Sequence, residues 1–241
     1  MRRGLAHSRE EAQAAIDAGR VIVGGAPAGK ASRLVSRAEP LEILGTGSRF
    51  VSRGGAKLAA ALDYFSVDPA GRRVLDAGAS TGGFSDCVIQ RGAAEVVAVD
   101  VGYGQLHERV RSDPRVTVLE RTNVRSLTVE LIGGRVDLVV ADLSFISLRT
   151  VLDALLGVCS PGGDLVLLVK PQFEAGRVEA ARGRGVITDP EVWRRVLVEL
   201  RAALVDAGAA MMGAMVSPLR GADGNVEFLV HAVAPAVRAG G

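Results

Sequence analysis

Residues 74–84 read "VLDAGASTGGF", and the passage from an apolar run into a glycine-rich one decides the fold. Val74 and Leu75 lead into Asp76, and Gly78, Gly82 and Gly83 follow at once. Glycines after a strand let the backbone approach a ligand closely, and open α/β sheets bind ligands in the crevice beyond the carboxyl ends of their strands. The spacing is D-x-G-x-x-x-G, with Ser80 where the dinucleotide pattern G-x-G-x-x-G requires glycine. This disfavours a pyrophosphate ligand such as NAD.

Working outward, "RVLDAG" is the first of seven strand-like apolar runs, followed by "EVVAVD", "RVTVLE", "VDLVVADL", "DLVLLVK", "AMMGAMVS" and "VEFLVHAV". The first five alternate with helix-length segments, as in a parallel sheet covered on both faces. The last two are joined through "PLRGADGN", whose Pro, Gly, Asp and Asn mark a turn and so a final hairpin. The expected fold is α/β, a Rossmann-like sheet of seven mostly parallel strands with an antiparallel last strand, the architecture of class I methyltransferases. Asp100 ends the second strand, where a carboxylate can accept both ribose hydroxyls of a nucleoside. The combination resembles a site for S-adenosylmethionine (SAM). Asn123, after the third strand, is either an adenine contact or a plain loop cap.

The front of the chain differs. Ser8 to Glu11 form a capping box, and Ala12, Ala15 and Ile16 give a helical stripe closed by Gly19, so a helix is expected over 9–18. Val21 and Val23 alternate into the Gly24-Gly25 turn, and "EPLEILG" supplies another short strand. Residues 1–58 hold ten Arg and Lys against five Asp and Glu, while the whole chain of 241 residues carries only +2. A basic front module on a slightly acidic body suits docking to a polyanion. Arg2, Arg3, Arg9, Arg20, Lys30 and Arg53 are its candidate phosphate contacts.

No apolar run approaches the roughly 18 to 20 residues that span a bilayer, and Met1-Arg2-Arg3-Gly4 precedes polar residues, which predicts a cytoplasmic protein with no membrane partner. Cys87 and Cys159 stand far apart with no histidine cluster near them, so neither a disulfide framework nor a metal site is expected.

Lysine occurs only at 30, 57 and 170, in a chain with 29 Lys and Arg. An ammonium is a compact, tunable charge, whereas guanidinium keeps its proton. Lys170 ends the fifth strand, Asp142 the fourth, and Glu227 begins the last, while Lys57 lies on the helix before the first strand. Two amines and two carboxylates beside a methyl donor fit an acceptor that must lose a proton of high pKa, such as a ribose hydroxyl. General-base help there is worth roughly 10²- to 10⁴-fold. In this reading Lys170 takes or steadies the proton, Asp142 holds Lys170, and Glu227 and Lys57 orient the hydroxyl.

With "RGLAHSREEAQAAIDAGRVIVGG", "FVSRGGAKL", "DAGASTGGF", "ADLSFISL", "LVKPQFEAG" and "GNVEFLV" in view, most of the chain resembles the TlyA family. That family joins a ribosomal-protein-S-four-like RNA-binding domain to an FtsJ-like ribose methyltransferase. The resemblance implies a Lys-Asp-Lys-Glu catalytic set at Lys57, Asp142, Lys170 and Glu227. It implies cofactor contacts at Asp76, Gly78, Ala79, Ser80, Thr81, Gly82, Gly83, Phe84, Asp100, Asn123 and Asp142. The partner implied is ribosomal RNA within ribosomal subunits, methylated on cytidine 2′-hydroxyls with SAM as cofactor. Expected domains are an α+β RNA-binding module over 1–47, a linker over 48–55 that couples RNA docking to the cofactor, and the methyltransferase over 56–241.

Two departures stand out: the chain starts three residues before "GLAHS", leaving much of the module's first helix without a counterpart, and Phe50 stands where longer members carry tryptophan. The short front end leans toward large-subunit rRNA. Rival readings are a noncatalytic ribosome-assembly factor, a membrane-active haemolysin, after a label family members carry, and a SAM enzyme acting on a small molecule.

Overall fold

The computed structural model describes residues 5–6, 8–17, 19–24, 26–28, 30–36, 39–43, 49–176, 179, 185–221 and 224–236. The chain divides into two compact units, Met1–Arg49 and Phe50–Gly241. In the first, helix α1 (Arg9–Asp17) starts where the capping motif predicts, with Ser8 Oγ accepting from the Glu11 amide at 3.0 Å. Strands β1 (Val21–Val23), β2 (Ala26–Pro27) and β3 (Leu41–Ile43) form an antiparallel sheet in the order β2-β1-β3. Ala15, Val21, Val23 and Ala28 make its small core.

The second unit opens with α2 (Arg53–Phe65), so Arg53, Gly54 and Gly55 of the expected linker are the first turn of a helix. There follow β4 (Arg73–Ala77), α3 (Gly83–Gln90), β5 (Glu95–Val99), α4 (Glu108–Arg111) and β6 (Val116–Leu119). Then come β7 (Val136–Ala141), α5 (Leu152–Val158), β8 (Cys159–Val169), α6 (Pro171–Glu174), α7 (Pro190–Asp206), β9 (Ala210–Val216) and β10 (Phe228–Val233). The sheet order is β6-β5-β4-β7-β8-β10-β9, parallel from β6 to β8, with β10 antiparallel to both neighbours. The order reverses between β4 and β7, the switch point at which such sheets open a crevice.

Successive side chains of a strand point to opposite faces, so each strand contributes to two cores. Leu75, Val97, Val139 and Leu167 pack under α5 and α7 with Leu155, Leu200 and Leu204. Val74, Val140, Leu168 and Leu229 pack under α2 and α3 with Leu58, Leu62 and Val88. Two steps on from Val74, Val140 and Leu168, and two back from Leu229, stand Asp76, Asp142, Lys170 and Glu227. The pleat that buries those apolar side chains thus sends all four charged ones to the α2 face, at the edge where the parallel strands end.

The joint is packed tightly on this face. Phe50 is buried, and a Cβ on Gly55 would fall 2.4 Å from Phe50 Cγ and 2.8 Å from the Gly83 carbonyl oxygen. Alanine gains up to ~1 kcal/mol of helix propensity over glycine, against ~1–3 kcal/mol for overpacking. Gly55→Ala is therefore expected to lower the urea midpoint. Gly54→Ala, whose Cβ would meet its nearest neighbours at 3.4–3.5 Å, is expected to be neutral or stabilising. Equal effects of the two would contradict this packing.

Candidate active site

At the end of β4 the Asp76 carboxylate is fully buried. Its Oδ2 accepts from the Ser85 amide at 2.8 Å and the Ser85 hydroxyl at 2.6 Å, pinning the first turn of α3 to the strand. Its Oδ1 has no hydrogen-bond partner among the described residues. Burial pushes its pKa up to about 7, against the lowering effect of the Ser85 bonds. The chain then turns through Gly78, at φ +84°, where a Cβ would lie 2.5 Å from the Asp142 carbonyl oxygen; only glycine lets these two strand ends close. Beyond it the Ser80 amide donates to Asp100 Oδ2 at 2.8 Å, and the Gly102 amide to Asp100 Oδ1 at 2.6 Å. Asp100 is thereby fixed, with a lone pair left on each oxygen for a ligand.

A cavity of about 420 Å³ opens here, within the range of small-molecule sites. Of the residues expected to bind the cofactor, Gly78, Ser80, Asp100, Asn123 and Asp142 line it. Ala79 lines a narrow side recess with Ser80 and Asp100. Asp76, Thr81, Gly82, Gly83 and Phe84 are not on its wall. Asp76 acts on α3 as described, the Thr81 carbonyl accepts from the His107 amide at 3.2 Å, Gly82 is the N-cap of α3, and Gly83 and Phe84 turn toward α2. Asn123 also caps the 3-10 turn Val124–Ser126, its Oδ1 accepting from the Arg125 amide at 3.0 Å, so the loop-cap reading is present in the geometry.

The four charged residues form two ion pairs. Lys170 Nζ lies 2.6 Å from Asp142 Oδ1, an ionic contact without hydrogen-bond alignment, and donates to Ser144 Oγ at 2.9 Å. Asp142 and Ser144 both line the cavity. Lys57 Nζ lies 2.5 Å from Glu227 Oε2, with both side chains buried and neither on the cavity wall. Glu227 and Lys170 each stand one step past the last register pair of their strands, Phe228 opposite Val169. The structure therefore sets the pairs side by side at one sheet edge, Lys170–Asp142 at the cavity and Lys57–Glu227 behind it.

Sequence reasoning missed Gln105, Ser144 and Phe145 on the cavity wall. Ser144 and Phe145 lie in "ADLSFISL", directly after Asp142, and that adjacency was the available signal. Of the candidate RNA contacts, Arg9, Lys30 and Arg53 are exposed and Arg20 is half-buried, while Arg2 and Arg3 lie outside the described residues. No helix among the described residues is long and apolar enough to cross a membrane.

A mixed sheet in this order, with a carboxylate-lined cavity at its switch point, defines a class I SAM-dependent methyltransferase. The FtsJ-like methyltransferase model matches residues 50–233 and the S4 domain model residues 2–39. The 16S/23S rRNA (cytidine-2′-O)-methyltransferase TlyA of Mycobacterium tuberculosis is 53% identical over 231 residues, 95% of this chain and 86% of that protein. The 23S rRNA (cytidine-2′-O)-methyltransferase TlyA of Campylobacter jejuni is 30% identical over 182 residues, 76% of this chain and 70% of that one. A Streptococcus thermophilus protein solved under the name hemolysin superposes with a TM-score of 0.79 at 39% identity, covering 97% of this chain and 86% of that one. The chain belongs to the FtsJ-like methyltransferase family and, within it, to the TlyA proteins.

Asp76 gives the stability a pH signature. With its native pKa raised from 3.8 to about 7, the native state holds a proton that the unfolded state releases, so stability falls as pH rises from about 4 to about 7. Above that window the difference stays constant. In thermal melts across pH 4 to 8, Asp76→Asn, which keeps an acceptor for Ser85, is expected to lack this component of the fall. Identical pH profiles for the two proteins would remove Asp76 as its source.

Proposed function

We propose that the protein transfers the SAM methyl group to the 2′-hydroxyl of cytidine in ribosomal RNA, with Lys57, Asp142, Lys170 and Glu227 as its catalytic set. The observation carrying this reading is the Lys170 ammonium, held by Asp142 and Ser144, both of which line the cavity although Lys170 itself does not. SAM would supply an electrophilic methyl group on a sulfonium. The residues present suit it: Gly78 and Ser80 present backbone to a cavity of about 420 Å³, and the anchored Asp100 carboxylate beside them can accept from ribose hydroxyls. As a neutral amine Lys170 would take the proton leaving the acceptor hydroxyl, and as an ammonium it would stabilise the negative charge developing on that oxygen; Asp142 keeps the group in place. Lys57 and Glu227 hold a balanced charge pair behind it, so that Lys170 faces no uncompensated charge on that side.

Arg2, Arg3, Arg9, Arg20 and Lys30 grip RNA phosphates from the front unit, assigned here as residues 1–47, and Arg53 does so at the joint, 48–55. Support for a joint that senses docking comes from Asp86 in the first turn of α3, next to the cofactor loop. Its buried carboxylate accepts from the Val51 amide at 2.8 Å and pairs with Arg109. Both curated relatives named above include 23S rRNA, and large-subunit RNA is therefore the proposed target.

The test presents labelled SAM and each ribosomal subunit to the protein and maps the modified nucleotides. The expected result is methylated cytidine riboses in 23S rRNA, with binding that weakens steeply as salt rises. Lys170→Met is expected to keep SAM affinity and lose roughly 10²-fold or more in turnover. Methylated bases with untouched riboses would refute the chemistry, and full activity of Lys170→Met would remove the lysine from it.

A further inference from the structure

Two segments must stay in register for Lys170 to work as proposed: the loop after β7, which carries Asp142 and Ser144, and the turn after β8, which begins at Lys170. They belong to different crossovers. The helical turn α6 follows Lys170 immediately, and its last residue, Glu174, is only 5% exposed. Its carboxylate points at the other segment. Glu174 Oε2 accepts from the Ser147 hydroxyl at 2.5 Å, and Oε1 accepts from the Leu148 amide at 2.7 Å. Arg149 adds a third tie, donating to the Glu174 carbonyl at 3.0 Å while its Nε lies 3.7 Å from Oε2 and its NH1 binds Glu199 at 2.8 Å.

We propose that Glu174 is a positioning residue for methyl transfer: it fastens the loop bearing Ser144 to the turn bearing Lys170, and so holds the Lys170 ammonium against Asp142 and Ser144. The inference rests on the role given to Lys170 above.

Three features carry it. The carboxylate closes a ring of short contacts: Lys170 to Ser144, three residues along the loop to Ser147, Ser147 to Glu174, and four residues back along the turn to Lys170. Its burial has a cost, because a carboxylate removed from water favours its neutral form, and burial indeed drives the Glu174 pKa upward. A buried ionisable group is weak evidence of a gain in stability, since well-packed apolar residues often serve as well or better. Finally, the loop it restrains contains Phe145, which is 91% exposed at φ +64°. A bulky residue in the left-handed region persists only where its surroundings over-determine the backbone, and the Ser147 and Leu148 bonds fix this loop two residues further on.

The test compares Glu174→Gln, Glu174→Ala and wild type in the full-length protein. Glutamine can accept from the Leu148 amide and donate to Ser147, so it is expected to keep turnover within about threefold of wild type. Glu174→Ala is expected to lower kcat about tenfold or more with the RNA KM nearly unchanged, and to speed hydrogen exchange across Ser144–Leu148 more than in the central strands. On a Lys170→Met background the alanine substitution should cost nothing further, because a residue acting through Lys170 has nothing left to position. Equal kcat in the alanine variant and wild type would overturn the proposal. So would losses that multiply in the double variant, or exchange that rises evenly over the whole unit as a general loss of stability. A wild-type protein that methylates no ribose would instead refute the functional reading, and the exchange pattern would still decide whether Glu174 ties the two segments.

Discussion

The pleat of the central sheet is the constraint on which the rest depends. Residues two apart on a strand share a face, so burying Val74, Val140, Leu168 and Leu229 beneath α2 and α3 commits Asp76, Asp142, Lys170 and Glu227 to the same side. A slip of one residue in any of these strands would turn its charged residue into the opposite core and its apolar neighbours toward α2, an error the packing excludes. The grouping of charge is thus set by hydrophobic burial, and ion pairing acts only on what burial has already delivered.

The two ion pairs differ in how far their carboxylates are removed from water. Lys57–Glu227 is buried, and breaking it by removing one partner would strand a buried charge at a cost of roughly 3–5 kcal/mol. Lys170–Asp142 meets the cavity through Asp142, which is about a quarter exposed, and Lys170 donates one hydrogen bond to the Ser144 hydroxyl. The two amines are almost equally enclosed, at 10% and 11% exposure, so the pairs differ in their carboxylates, with Glu227 at 3% and Asp142 at 26%. Asp76, in the same row but one strand removed, takes no part in either pair; it is spent on Ser85 and on the start of α3.

Much of this was legible in the sequence for a plain reason: long strands and glycine turns write themselves as apolar runs and punctuation. The seven runs, the final hairpin and the capped first helix all appear where periodicity and capping put them. Asp142, Lys170 and Glu227 could be named because strand ends were readable and one face collects them. What escaped was set by backbone direction rather than residue type. "GASTGGF" reads as one loop, yet after Gly82 the chain enters α3 and turns Gly83 and Phe84 toward α2, so only its first half faces the cavity. Nor could spacing reveal that Glu174 reaches Ser147, because that contact joins two crossovers 27 residues apart whose meeting depends on the finished sheet.

The central claim, that one sheet edge brings the amine of Lys170 to the reacting methyl, is tested most directly by a crystal structure with S-adenosylhomocysteine. The account predicts the ribose hydroxyls on the Asp100 carboxylate and the sulfur turned toward the Asp142–Lys170 pair, within reach of the Lys170 side chain. A cofactor seated with its sulfur facing away from that pair, or with its ribose held elsewhere, would contradict it.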